Sequence, residues 1–302
     1  MAWLGRRKAV EAVYEGPSEV VLDLSGPRLR RAFEDLKLSA EPTGGVSRYI
    51  TALSLKSALF GELLGNGAVN ELSQTGFLDL SAFVAPVRRR IAATIEQMGF
   101  DHIKGALIRL LEGYPEIGSV EDRMAVFCSA FPQDKAHRWV RDLGAEVLHF
   151  VDPEAFPLMT RWIWDARVST GALREIWHAD DVDAAQIIVG DDVEVFRVLS
   201  LELNGFLAGE GFYRDLPFAA DLLLAHIYSG YINDRGGQYL RSDFTTEGDP
   251  MHHTRRMLGL DAVDTETGRT RLRLIDGKPH VLSGLPGVDP ETPDAEVSHA
   301  DS

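Results

Sequence analysis

Residues 215–232 read DLPFAADLLLAHIYSGYI, the most apolar of the chain's helix-forming stretches. Phe218, Leu222, Leu223, Leu224 and Ile227 recur at helical spacing, and a helix apolar over so much of its circumference needs cover from other helices on several sides. The segment therefore predicts a central helix in a mainly α-helical protein.

Candidate neighbours lie on both sides of it. Upstream, Pro42-Thr43-Gly44-Gly45 breaks the chain, and Ser47 stands as an N-cap before Ile50, Leu53, Leu55, Leu59, Phe60 and Leu63, which predicts a helix over 47–64. After a break at Thr75-Gly76, the positions Phe83, Val84, Val87, Ile91, Ile95 and Met98 predict a helix over 81–98, with Pro86 in its first turn. Further helices are expected over 101–112, 120–130 and 134–150. A proline-rich region, 151–177, carries Trp162, Trp164 and Trp177 and is expected to anchor the core. Within 187–206, Asp191-Asp192 opens a helix built on Val193, Phe196, Leu199 and Leu203, acids there suiting the positive end of the helix dipole. Asp249-Pro250 opens a short helix that Gly259 closes.

Towards the ends the pattern weakens. A short helix over 8–14 and a strand-like run over 19–24 precede Gly26-Pro27, so residues 1–45 are expected as an arm on a helical core of 46–262. Residues 269–275 alternate, Asp276-Gly277 offers a two-residue turn, and 278–282 returns, which predicts a β-hairpin extension over 263–285. Residues 286–302 hold five acids, no lysine or arginine and three prolines, and are expected to be a disordered acidic tail.

Composition removes several functions. With 302 residues and 45% hydrophobic content the chain can bury a core without staples. Its single cysteine, Cys128, cannot by itself form a disulfide or a cysteine-ligated cluster within one chain. No Walker-type loop, no G-x-G-x-x-G and no G-x-S-x-G is present, so no nucleotide cofactor is expected. A formal net charge of -15 weighs against nucleic acid as a partner. The basic triplets at Arg6-Arg7-Lys8, Arg28/Arg30/Arg31 and Arg88-Arg89-Arg90 read as solvated helix faces or ends. With no apolar run long enough to span a membrane and no secretory leader pattern, the cytoplasm is the expected compartment.

Two groups of residues are candidates for chemistry. His178, Asp180, Asp181 and Asp183, with His226 from the apolar helix, offer imidazole and carboxylate ligands to a metal ion, and His149 with Asp152 is a lesser pair. His226 and Asp221, five apart, do not share a helical face. The polar loop 233–243, with Arg235, lies next to His226. His252, His253, Arg255 and Arg256 form a cationic cluster that either grips an anionic partner or pairs with Asp243, Glu247 and Asp249. Asp165 and Arg161 have the spacing of a local ion pair.

The run Asp134-Lys135-Ala136-His137-Arg138-Trp139, followed by Phe156-Pro157-Leu158-Met159-Thr160-Arg161-Trp162, resembles the heart of the helix-hairpin-helix DNA glycosylases. The resemblance gives Lys135 and Arg161 contact roles and covers about 30 residues. Met159 stands where that family carries its catalytic aspartate, so the resemblance implies a fold or an impaired activity. The function expected from the whole chain is a non-catalytic accessory protein that docks on a partner protein. The alternatives are a metal-dependent enzyme with its site at 178–183, and a glycosylase-like nucleic-acid binder.

Overall fold

The structure, a computed structural model, describes residues 20–112, 120–182, 184–236, 249–264 and 267–283, with the backbone alone at 233–236. The expected helix at 8–14, most of the loop 233–243, Asp183, Asp243, Glu247 and the tail 286–302 lie outside the described residues. The described residues contain eleven α-helices and one two-stranded antiparallel sheet, so the mainly helical class holds. No helix among them is long and apolar enough to cross a membrane.

The apolar stretch forms α10 (Leu216–Gly236), which ends four residues beyond the end that its sequence pattern predicts. It packs against α1 (Gly26–Ala40), α2 (Gly45–Leu64), α8 (Ala172–Glu175), α9 (Val193–Gly209) and α11 (His252–Met257). Residues 218–227 are buried without a break, as the all-round apolar pattern requires. On the far side, α2 packs on α7 (Trp139–Val151), which meets α6 (Val120–Ser129) and α5 (Phe100–Leu111).

Helix α1 falls within the stretch expected as an arm. Its Leu29, Phe33, Leu36 and Ala40 join the common core, and Phe33 meets Phe206 and Phe212 edge-on at centroid distances of 6.1 and 5.5 Å. Pro27 sits in its first turn, where a missing N–H costs nothing, so Gly26-Pro27 starts a helix instead of ending a strand. The strand-like run before it reduces to one bridge, Leu24 to Trp177.

The helix expected over 81–98 is two helices, α3 (Gln74–Ala82) and α4 (Ile91–Met98), separated by turns. Ser73 caps α3 by accepting the Gly76 N–H at 3.1 Å, so the glycine read as a break lies in a first turn. Pro86 disfavours helix at Ala85, and the Arg88 side chain donates to the terminal Ala82 carbonyl at 2.6 Å. Val84 and Val87 are buried all the same, which explains why their spacing imitated a helix. Helix α7 starts five residues later than expected because Asp134 caps a separate 3-10 turn, Lys135–His137, accepting from the backbones of Ala136 and His137 at 2.7 and 3.1 Å.

Of the three tryptophans expected to anchor the core, Trp164 is fully buried, while Trp162 and Trp177 pack half-buried at its margin. The C-terminal hairpin forms as β1 (Arg269–Arg273) and β2 (Pro279–Val281), with Gly277 at φ +81° in the Asp-Gly turn. It is fastened to α3 at Asp79, whose carboxylate lies 2.7 Å from His280 Nε2 and accepts from the Ser283 hydroxyl.

Candidate anion-binding cleft

The 3-10 turn held by Asp134 places Lys135 and Arg138 in water at the mouth of a cleft of about 580 Å3, and the first turn of α7 adds Arg141. The opposite wall comes from the segment after α7, which supplies Arg161 and Arg167, and from Asp191 just ahead of α9. Three of the five cations have a carboxylate within ion-pair distance. Arg141 pairs with Asp191 at 2.5 Å and also donates to its carbonyl at 2.8 Å. Arg161 grips Asp142 at 2.6 and 3.3 Å, and this contact holds the guanidinium charged against partial burial. Asp142 is thus the partner of Arg161, in place of the Asp165 expected from spacing, and Asp165 lies 3.5 Å from Arg167.

Lys135 and Arg138 have no carboxylate within ion-pair distance among the described residues. The cleft therefore has a neutralised floor and a cationic rim, an arrangement that attracts an anion without a covalent step. Cys128 also lines it, half-buried. Burial pushes its thiol up in spite of the Arg141 charge, which keeps it protonated and a poor nucleophile.

A second set of charges lies behind this cleft and is dry. Asp142, Glu146 and His149 occupy one face of α7 at spacings of four and three, and each has a partner from another element. Lys56 of α2 donates to Glu146 at 2.6 Å and to the Leu258 carbonyl at 3.0 Å, with its ammonium 3.9 Å from the centre of the Phe150 ring. Lys56 is 2% exposed and Glu146 3%, so no substrate fits at their charged atoms. Burial drives the lysine down and the glutamate up, each opposed by the other's charge.

His149 donates from Nδ1 to the Phe156 carbonyl at 2.8 Å, and its Nε2 lies 2.8 Å from Asp221 of α10. Burial works against the imidazolium, but Asp221 and the carbonyl outweigh it and raise the histidine above its ordinary value. The pair borders a cavity of about 20 Å3, enough for a single water. Arg88, expected on a solvated face, is buried 2.8 Å from Asp261, with the Gly259 carbonyl at 3.2 Å.

Among the described residues the metal candidates do not converge. His178 is exposed and faces Asp23 at 3.4 Å, and Asp180 and Asp181 are exposed on the following loop. His226 is buried on α10, with Nε2 2.8 Å from Asp35 and Nδ1 3.3 Å from the Thr254 hydroxyl. Among the described residues no three His, Cys, Asp or Glu side chains are placed to hold a metal ion. His149 turns away from Asp152, whose carboxylate caps the backbones of Glu154 and Ala155.

In α11, Arg255 pairs with Asp249, one of the acids expected for it, and His252 and His253 meet edge-on at 5.3 Å. Burial lowers His253, and the neighbouring His252 and Arg256 add to the effect. The side chain of Arg235 lies outside the described residues.

Of the residues singled out in the sequence, Lys135 and Arg161 share one cleft. Arg138, Arg141, Arg167 and Asp191 complete it, and nothing local in the sequence marks them, because their convergence is tertiary. Comparison of the chain with protein-family models, with curated proteins and with solved structures found no match.

Proposed function

We propose that the chain is a non-catalytic binding protein whose basic cleft receives an acidic segment of a partner protein. The observation that carries this reading is the rim of Lys135 and Arg138, cations without an internal carboxylate partner among the described residues, on a chain of net charge -15. Such a local reversal of sign steers an anion to one place and repels it elsewhere. Rim cations are fully hydrated, so the attraction is salt-sensitive and modest, as suits docking more than tight small-molecule capture.

The test is fluorescence anisotropy of a labelled oligoglutamate peptide against the full chain. Binding is expected at low salt, weakened as salt rises and reduced at least about tenfold by Lys135→Glu with Arg138→Glu, a change of about 1.4 kcal/mol. Equal binding by this double variant removes the reading.

A second reading follows from Lys135 and Arg161 lining the same cleft, since these are the positions that resemble the glycosylases. It predicts that duplex DNA outcompetes the peptide and that Lys135→Ala weakens DNA binding. Failure to bind duplex DNA at low salt ends it.

A further inference from the structure

On another face of the molecule, α1 and α10 border an open groove of about 930 Å3. Arg28, Arg31, Asp35 and Leu38 are spaced three and four apart on α1, so they form one stripe about 15 Å long. The wall opposite is made by His226, Gly230 and Tyr231 of α10.

The groove's charges are mixed, since Glu34 and Glu175 line it together with Arg28, Arg31 and Asp35. Arg28 is oriented by the carbonyls of Ala179 at 2.9 Å and Glu175 at 3.5 Å, contacts that fix a guanidinium without cancelling its charge. Neither Arg28 nor Arg31 has a carboxylate within ion-pair distance among the described residues. Two turns beyond Arg28 on α1 stands Asp35, whose side chain is 69% exposed and lies 2.8 Å from His226 Nε2. His226 is itself held from behind by Thr254. This order, with the carboxylate in water and the hydroxyl in the core, is the reverse of a nucleophilic triad and leaves an acid presented to a ligand.

Between and beyond the charged groups the groove offers apolar surface, ending at Leu38, which is 75% exposed. Gly230 lies within α10, where glycine costs about 0.5–1 kcal/mol relative to alanine. A Cβ at this position would meet nothing within 4 Å, so packing inside the chain does not call for the glycine. Its bare backbone keeps the groove wall low.

We propose that this groove binds a short peptide with free ends, the carboxylate between Arg28 and Arg31 and the ammonium on Asp35. Seven helical residues separate Arg28 from Asp35, about 10 Å, which is also the span of about three extended residues. The peptide backbone runs past Gly230.

Titration of the full chain with trialanine, followed by calorimetry or by amide shifts, tests the assignment. Binding with a Kd of about 1 mM or tighter is expected, weakened at least about tenfold in N-acetyl-trialanine and in trialanine amide. Gly230→Ala should retain binding, because its methyl enters open space, and Gly230→Leu should abolish it. If Gly230→Leu does not fold, the exposed Arg31→Gln decides, with weakened binding expected. Blocked peptides that bind as well as trialanine, no detectable binding of trialanine, or undiminished binding to Arg31→Gln would each overturn the proposal.

Discussion

The chain carries two neighbouring sets of charges that share α7 and behave differently because one is dry and the other wet. Around Lys56 and Glu146, removal from water costs several kcal/mol per ion, so each charge must find its partner on another element: α2 with α7, α7 with α10. Such charges select one arrangement of the helices. Around Lys135 and Arg138, water screens the charge and an ion pair is worth about 0–1 kcal/mol, so a cation without a partner does little to the fold. These charges remain available to something outside. Arg161 with Asp142 lies between the two regimes, its acid in the core and its guanidinium at the cleft.

The contrast can be broken at four points. Lys56→Ala leaves Glu146 buried without its partner and is expected to cost about 3–5 kcal/mol, read from the urea midpoint. Lys56→Met combined with Glu146→Leu should recover most of that loss, and if it does not, packing rather than charge governs the site.

Asp221→Asn should cost about 1–3 kcal/mol and change the pH profile. Because the folded state holds His149 above its ordinary value of 6.5, the pair's contribution is full below that value and is lost as pH rises through the higher, folded one. Melts across that window should show the parent losing stability and Asp221→Asn losing less.

Arg161→Ala is expected to cost about 1–2 kcal/mol, less than the fully buried pair because its guanidinium is partly hydrated. Lys135→Glu with Arg138→Glu should leave stability within about 0.5 kcal/mol while oligoglutamate affinity falls, which places the wet set outside the folding problem.

The central position of α10 was legible because apolar residues surround it, and the hairpin because Asp276-Gly277 sits between alternating runs. Helix α1 was missed where proline was taken as a stop, although at a first turn it is a start. The dry network left a trace in the sequence: Lys56 stands at helical spacing from Leu53 and Phe60, where an apolar residue is due, and Glu146 stands likewise between Leu143 and Phe150. A charge on a buried stripe calls for a buried partner, but periodicity does not say which. The described members of the metal set stand apart for the converse reason, since His178, Asp180 and Asp181 are close in sequence on an exposed loop while His226 points to Asp35. Two residues of the cleft, Lys135 and Arg161, were visible in the sequence, and the rest depends on how the 161–167 segment and Asp191 fold back onto α7.

The turn at Gly259 bears on how the chain is made. Its φ is +73°, and a Cβ there would lie 1.8 Å from the Phe83 carbonyl oxygen, so only glycine lets the two backbones meet. That approach delivers the carbonyls of Leu258 and Gly259 to Lys56 and Arg88, partners 202 and 171 residues earlier. On the ribosome both cations emerge long before those carbonyls exist, and the early helices cannot complete their interior until the last of these residues has left the exit tunnel. Completion of that interior therefore waits on the C-terminal part of the chain, 202 and 171 residues after the cations it serves.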